Sequence, residues 1–283
     1  KSGRWIDAML HAKETLLVDI TDFGCRNELM IILRSSGKAQ EADDALRELA
    51  RLMHGEPHNY LALAEEYCAA GLYCEAAELL SKAIEGGLKH PMLAYAAAYA
   101  SINHGLPEEA QIYWTLAAAL PRHICFPVSL FELKVLEHAI SEHPQDGSAR
   151  YYLGNLLYDK KRHTEAAEQW EQSAKLDPHY PTVYRNLALA YYNKQGRPHD
   201  ARVALEAAFN LNPADARVLY ELDQLYKKLG VPPAERLLHL DQHRELVEQR
   251  DDLYIEYAAL INILERYEHS LMMIMSHKFH PWE

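Results

Sequence analysis

Residues 147–180, GSARYYLGNLLYDKKRHTEAAEQWEQSAKLDPHY, contain one complete copy of the unit from which this chain is built. Apolar residues recur at helical spacing in the first half and predict an amphipathic helix: Tyr152, Leu153, Leu156 and Leu157. A second helix is predicted from Ala166 to Leu176, with Lys160–Arg162 as the turn. Asp177–Pro178 ends it, because proline disfavours a helical conformation in the residue before it. The unit is therefore predicted to be a helical hairpin.

A short phrase returns along the chain: a glycine, three variable residues, an acidic residue and an alanine. Its first four copies are 34 residues apart, at Gly3–Asp7–Ala8, Gly37–Glu41–Ala42, Gly71–Glu75–Ala76 and Gly105–Glu109–Ala110. It recurs at Gly196–Asp200–Ala201 and, with Lys161 in place of the glycine, at Glu165–Ala166. A fixed period of this length predicts a stacked array of hairpins.

Each residue of the phrase has a predicted structural role. The glycine forms the turn between the two helices. The acidic residue lies in the first turn of the second helix, where the helix dipole favours negative charge by a few tenths of a kcal/mol to about 1 kcal/mol. The alanine, such as Ala166, is small enough to let the two helices cross closely. The phrase therefore predicts a fold and carries no chemistry.

The pattern resembles the tetratricopeptide repeat, which has a 34-residue period, an L-G pair, a conserved alanine, an aromatic residue and a final proline. The matching residues here are Leu153–Gly154, Ala166, Trp170 and Pro178, followed in the next copy by Tyr184, Leu187–Ala188, Tyr191, Ala201, Leu205, Ala208 and Pro213. Arg150 and Ala188 depart from the pattern. The resemblance covers nearly the whole chain and implies an all-α solenoid of hairpins wound into a right-handed superhelix.

The alanine register predicts that the units begin near Phe23, Pro57, Pro91, Gly147, Pro181, Ala216 and Asp251. An extra 22 residues precede Gly147 and predict an irregular connector with one helix at 128–143. We therefore expect a first subarray at 1–120, a connector at 121–146 and a second subarray at 147–283. The phrase is inverted at Ala234–Glu235, and Ser270 replaces the last alanine.

The two ends predict a fragment of a longer protein. Gly3 is the turn of a unit whose first helix is missing, and His280–Glu283 follows a second helix without a polar cap. The second half also resembles bacterial tetratricopeptide proteins that carry an uncharacterised, mutarotase-like β-sandwich ahead of the repeats. The resemblance rests on residues 151–160, 185–194, 220–226, 248–253 and 279–283. It implies carbohydrate-related work in the full protein.

Composition narrows the partners. A net charge of −12 and a pI near 5.7, without a basic stripe, argue against nucleic acid. No segment approaches the roughly 18 apolar residues that span a membrane, and residues 1–8 are repeat-like and not an apolar leader. The four cysteines lack a C-x-x-C pair and fit a reducing compartment. We expect a cytoplasmic protein that binds neither nucleic acid nor membrane.

The resemblance also implies a binding groove lined by the first helices of the units. Its predicted contact residues are Tyr151, Asn155, Tyr158, Arg185, Asn186, Asn193, Arg217, Tyr220 and Gln224. Tyrosine and arginine are enriched at binding hot spots, and amides both donate and accept hydrogen bonds. Three alternatives stay open. Asn155, Asn186 and Arg217 could bind a peptide carboxylate; tyrosines and amides could bind a sugar; or the tyrosines could simply pack between repeats.

No signal in the sequence indicates catalysis. There is no G-x-S-x-G, P-loop or G-x-G-x-x-G motif. His239 and His243 lie four apart, and His277 and His280 three apart, but neither pair has the further ligands of a zinc site. We predict a noncatalytic scaffold without cofactor or metal, binding a peptide, a protein segment or its own upstream domain. The alternatives are an accessory region of a carbohydrate-active protein and self-association through exposed repeat ends.

Overall fold

The computed structural model of the chain describes residues 5–280, apart from the side chain of Ile124. Its elements are α1 (Trp5–Val18), α2 (Phe23–Ser35), α3 (Ala39–Met53), α4 (Pro57–Ala69), α5 (Tyr73–Glu85), α6 (Pro91–His104), α7 (Pro107–Ala119), a 3₁₀ turn (Arg122–Ile124), α8 (Leu130–Glu142), α9 (Gly147–Asp159), α10 (His163–Leu176), α11 (Pro181–Gln195), α12 (Pro198–Leu211), α13 (Ala216–Lys228), α14 (Pro233–Asp241), α15 (Arg244–Val247), α16 (Asp251–Ile263) and α17 (Tyr267–Ser276). The all-α prediction is confirmed. The predicted turn at Gly3 and the closing residues 281–283 lie outside the described residues.

The chain forms two compact units, residues 1–144 and residues 145–283. The first contains α1 to α8, and the second contains α9 to α17. The seven predicted unit starts coincide with the first residues of α2, α4, α6, α9, α11, α13 and α16. Within the part of the chain that the structure describes, no helix is long and apolar enough to cross a membrane.

Local sequence explains where the first helices begin. Proline occupies the first turn of α4, α6 and α11, where its missing N–H would be unpaired in any case. An aspartate caps α2, α9 and α13 by accepting a backbone N–H with its side chain. The extra helix α8 begins with a reciprocal capping box between Ser129 and Glu132.

The glycines of the phrase adopt the predicted turn conformation. Gly37, Gly71, Gly105 and Gly196 all have positive φ, between 62° and 88°. Lys161 occupies the same place in the hairpin α9–α10 and also has a positive φ, 63°. The left-handed conformation is therefore set by the hairpin itself, and Lys161 adopts it without glycine's freedom.

Two positions recur in the hairpins: the eighth residue of the first helix and the fourth residue of the second helix that follows. In most hairpins small, buried residues occupy both of them. The small pairs are Ala64 with Ala76, Ala98 with Ala110, Gly154 with Ala166, Ala188 with Ala201, and Ala258 with Ser270. All are buried. Among the alanines of the phrase, Ala42, Ala76, Ala110, Ala166 and Ala201 are 0% exposed, whereas Ala8 of the first copy is exposed. Ser270 keeps its hydroxyl satisfied by donating to the Ala258 carbonyl at 2.9 Å.

In the hairpin α13–α14, the inverted phrase at Ala234–Glu235 does not supply the fourth residue of the second helix. The turn of this hairpin is one residue longer, and α14 begins at Pro233 after Pro232 as its N-cap. Arg236, and not Ala234 or Glu235, is then the fourth residue of the second helix, opposite Asp223. Arg236 is 3% and Asp223 0% exposed. A buried charged pair thus occupies the crossing that small residues occupy elsewhere.

Candidate functional site

The predicted groove residues belong to the second unit and lie on α9, α11 and α13. Their surroundings differ widely. Asn193 and Arg217 are exposed, and Tyr151 is buried. The remaining six are half-buried: Asn155, Tyr158, Arg185, Asn186, Tyr220 and Gln224. The structure therefore divides the set into residues that hold the array together and residues that a partner can reach.

Tyr151 is not on the surface. Its residue is 4% exposed, and its ring packs edge to face against Tyr180, with centroids 5.0 Å apart. Burial raises the pKa of its hydroxyl above the ordinary range. The prediction that Tyr151 faces solvent is wrong, because the interface between α9 and α11 covers its ring.

Asn155 and Asn186 join three helices to one another. The Asn155 Oδ1 atom accepts hydrogen bonds from Asn186 Nδ2 and from Trp170 Nε1, each at 3.1 Å. Trp170 lies on α10 and is 3% exposed. These amides are therefore engaged in linking α9, α10 and α11, so two of the three residues of the proposed carboxylate clamp already bond to each other.

Tyr158 packs inside its own hairpin. Its ring centroid is 5.4 Å from that of Trp170 and 4.6 Å from that of His163. With Tyr151 buried and the two asparagines bonded together, the tyrosines and amides suggested for sugar binding mostly serve packing. Tyr220 is the member of that set that lines an open pocket.

Arg185 is held by a carboxylate of the next repeat. Its guanidinium donates to both oxygens of Glu221, at 2.6 and 2.5 Å, and both side chains are 20% exposed. Arg217, 63% exposed, donates to the same carboxylate at 3.2 Å. Glu221 therefore neutralises the cations that a ligand carboxylate would need, and Arg185 positions α11 against α13.

A pocket of about 160 Å³ lies between α11 and α13. Its apolar lining consists of Ala188, Leu189, Leu205 and Leu225. Tyr192 and Tyr220 form aromatic walls, and Asn193, Glu221, Gln224 and Lys228 provide polar groups. The Lys228 ammonium lies 5.1 Å from the Tyr192 ring centroid. Three predicted residues, Asn193, Tyr220 and Gln224, therefore come together at one concave site.

Sequence reasoning missed a charged network beside this pocket. Arg236 donates to both oxygens of Asp223, at 3.0 and 2.6 Å, and to Glu256 at 2.7 Å. Lys227 donates to Glu256 at 2.8 Å. Burial raises the pKa of Asp223, although Arg236 opposes the shift. Burial also opposes the ionisation of Glu256, but hydrogen bonds from Lys227 and Arg236 lower its pKa.

The histidine pairs have structural neighbours. His239 and His243 lie with ring centroids 5.3 Å apart and pack on Phe209. The His277 side chain is 14% exposed, stacks on Tyr254 and contacts Asp251 at 2.9 Å. Among the described residues, no group of three or more His, Cys, Asp or Glu side chains is arranged to hold a metal ion.

Comparison with known proteins finds one family match and several similar solved structures. Residues 154–195 match a family model described as TPR repeat, running from the crossing residue Gly154 through α10 to the end of α11. YrrB, described as a TPR protein with an unusual peptide-binding site, is 18% identical, with 74% of this chain and 96% of that chain covered and a TM-score of 0.34. PilF of Pseudomonas aeruginosa is 19% identical, with 76% and 87% covered and a TM-score of 0.41. MamA from Desulfovibrio magneticus RS-1 is 18% identical, with 69% and 96% covered and a TM-score of 0.39.

The chain is thus an all-α array of helical hairpins, within which residues 154–195 match the TPR-repeat model. The family match identifies residues 154–195 as a repeat segment, and the crossing pairs extend the same construction to both units. Arrays of this type are typical of protein-interaction modules.

Proposed function

We propose that the second unit is a noncatalytic binding module that takes an apolar side chain of a protein segment into the pocket between α11 and α13. The observation that carries this proposal is the composition of the pocket. An apolar floor suits a hydrophobic side chain, and the two tyrosines add aromatic walls. This proposal retains Asn193, Tyr220 and Gln224 as partner-contacting residues and assigns packing roles to Tyr151, Asn155, Tyr158 and Asn186.

The size of the pocket favours a side chain over a whole small molecule. Binding sites for drug-sized ligands are typically about 300–1,000 Å³, and this pocket is about 160 Å³. The exposed Asn193 amide at the rim can both donate to and accept from a peptide backbone that runs past the pocket. An apolar anchor with backbone contacts beside it fits an extended polypeptide.

The partner segment belongs to another protein or to sequence flanking this chain. An accessory role in a carbohydrate-active protein rests on sequence resemblance alone and stays a prediction. The cytoplasmic location, the bacterial source and the absence of nucleic-acid and membrane binding stay predictions in the same way.

A peptide library displayed on phage tests the proposal. Peptides selected on the protein are synthesised, and their affinities are measured by calorimetry for wild type and for Leu189→Trp, which fills the pocket from its half-exposed wall. We expect affinity to fall by about tenfold or more, because the anchoring side chain loses its burial. Asn193→Ala should reduce affinity by about threefold to tenfold through lost hydrogen bonds.

Leu238→Trp is the matched control, since Leu238 is 61% exposed on α14 and does not line the pocket. It should bind the selected peptides like wild type. If no peptide is selected, or if Leu189→Trp binds them as tightly as Leu238→Trp does, the pocket is not the binding site.

A further inference from the structure

The pocket between α11 and α13 contains a cation that no carboxylate of the chain neutralises. Lys228 lines the pocket and is exposed in the last turn of α13. The neighbouring Lys227 is paired with Glu256, whereas no ion pair joins Lys228 to any residue between 5 and 280. The Lys228 ammonium is therefore open to a charged group of a ligand.

The Tyr192 ring holds this ammonium at the wall of the pocket. Lys228 Nζ lies 5.1 Å from the ring centroid, and Tyr192 lines the same pocket. The negative face of an aromatic ring attracts a cation at this distance without neutralising its charge. The contact directs the flexible lysine side chain toward α11 and leaves its N–H donors available for an anion.

The carboxylate in the lining does not offset Lys228. Glu221 accepts hydrogen bonds from both Arg185 and Arg217, so these three side chains together carry a net positive charge. The pocket thus presents an apolar floor beside an unpaired positive charge. The complementary ligand has an apolar side chain beside a negative charge.

We propose that the protein segment bound in this pocket carries an acidic residue close to its apolar anchor, and that the acidic side chain pairs with Lys228. The inference rests on the proposed function, because it names a further feature of the segment bound at the same site. Lys228 and the apolar floor line one small pocket. Since consecutive residues of an extended segment are about 3.3 Å apart, the acidic residue lies within about two positions of the anchor.

A single acidic residue suits this site better than a long acidic tract. The net charge of the chain is −12, which repels a polyanion. At physiological salt, charges further apart than about 8 Å are largely screened, so a lone carboxylate at the pocket interacts mainly with Lys228. A basic residue at the same place would be repelled by Lys228 and would find Glu221 already paired.

The phage-selected peptides test this inference first through their sequences. Peptides joined to the coat protein by their C-terminal end have no free terminal carboxylate, so every acidic group among them is a side chain. We expect aspartate or glutamate within about two positions of the apolar anchor. In the synthetic peptide, made with an amidated C-terminus, replacing that residue by its amide should weaken binding to wild type about twofold to fivefold.

Variants of Lys228 identify the partner of the carboxylate. Lys228→Met should bind the acidic and the amide peptides equally, and Lys228→Arg should keep the preference for the acidic one. Lys228→Glu should bind the acidic peptide at least about fivefold more weakly than wild type does and should prefer a peptide with lysine in its place. Lys175→Met, at an exposed lysine of α10 that does not line the pocket, is the matched control and should keep the wild-type preference. Circular dichroism establishes that all four variants are folded.

The possible outcomes distinguish this inference from the proposed function. If Leu189→Trp weakens binding but the selected peptides lack an acidic residue near the anchor, the pocket stands and the pairing with Lys228 is wrong. A preference for the acidic peptide that survives in Lys228→Met also overturns the pairing. Loss of binding on amidation of the C-terminus would identify the chain terminus as the ligand and exclude the side chain. If no peptide is selected, the proposed function fails and this inference fails with it.

Discussion

The hairpins α11–α12 and α13–α14 follow one another in the chain and differ at the crossing of their two helices. In the first hairpin the buried Ala188 and Ala201 occupy these positions, and α11 packs along α12 over most of its length. Asp223 and Arg236 meet at the second, where α13 and α14 touch over a short stretch only. The difference shows that a hairpin of this type is held either by close backbone approach or by a buried ion pair that spans a wider gap.

The ion pair does more than replace the alanines. Arg236 also donates to Glu256 on α16, so the crossing of one hairpin is tied to the first helix of the next. In the alanine hairpins, the crossing residues contribute packing alone. The charged crossing therefore couples neighbouring hairpins through specific hydrogen bonds.

The largest expected effect comes from breaking that pair. Arg236→Ala leaves Asp223 buried without its partner, and we expect a loss of about 3–5 kcal/mol in the free energy of unfolding. Urea unfolding followed by circular dichroism measures the loss, and hydrogen exchange localises it to α13–α16. The double variant Asp223→Leu/Arg236→Met, which fills the crossing with apolar groups, should recover most of the loss. A loss below about 1 kcal/mol for Arg236→Ala would show that the pair does not hold the crossing.

A smaller loss is expected where the crossing is tightest. A Cβ atom added at Gly154 lies 2.4 Å from Trp170, so Gly154→Ala must displace the indole. We expect a loss of about 1–3 kcal/mol, despite the better helix propensity of alanine. Gly147→Ala, in the same helix, meets its nearest atom at 3.3 Å and serves as the control. If both variants unfold at the same urea concentration, close approach at Gly154 is not needed.

The turns offer a gain of stability. Lys161 and Gly196 have φ of 63° and 62° at equivalent places in successive hairpins. Lys161→Gly should stabilise the protein by about 1 kcal/mol, and Gly196→Lys should destabilise it by a similar amount. Thermal unfolding measures the change in stability of each variant relative to wild type. If both variants are stabilised, or both destabilised, the two turns are not equivalent.

The smallest effect concerns the last hairpin. Hydrogen bonds from His277 and from the backbone and ring of His280 lower the pKa of Asp251 to about 2. Because the folded-state pKa lies below its usual value of 3.8, the contact contributes stability above pH 3.8 that is lost as the pH falls through 2. Asp251→Asn should therefore release residues 277–280 at neutral pH, measured by faster amide exchange of His280. Glu268→Gln, an exposed change on α17, should leave that exchange rate unaltered.

The sequence was sufficient to predict the first residue of every first helix and the alanines of the crossings. These features depend on local signals: capping residues, proline at the first turn, and a fixed period. The sequence was not sufficient to predict where the second helix of the hairpin α13–α14 begins, because Pro232 and Pro233 are both compatible with the first turn of a helix. A shift of one residue turns a helix by about 100°, which brings Arg236 and not Glu235 to the crossing.

The candidate site could be predicted only in part. Some residues of a first helix face solvent, and others pack against the adjacent repeat. Which residues do which depends on how closely the neighbouring helices pack. Tyr151 and Asn155 fall on the packed side and Asn193 and Tyr220 on the open side, a distinction that spacing along one helix cannot make. One feature of the sequence could have predicted the ion pair between Asp223 and Arg236. The two residues have opposite charges, and they occupy positions that hold small residues in most of the other hairpins.

The buried tryptophans give the chain a pair of internal optical reporters. Trp170 is 3% exposed, with its N–H bonded to Asn155 and its ring filling the space that Gly154 leaves open. Trp114 is 6% exposed in the first unit, and its ring centroid lies 4.5 Å from that of His143. With Trp5 and Trp282 also replaced by phenylalanine, removing either Trp114 or Trp170 would let fluorescence follow the opening of each unit separately. Emission from Trp170 would then report the moment at which α9, α10 and α11 part.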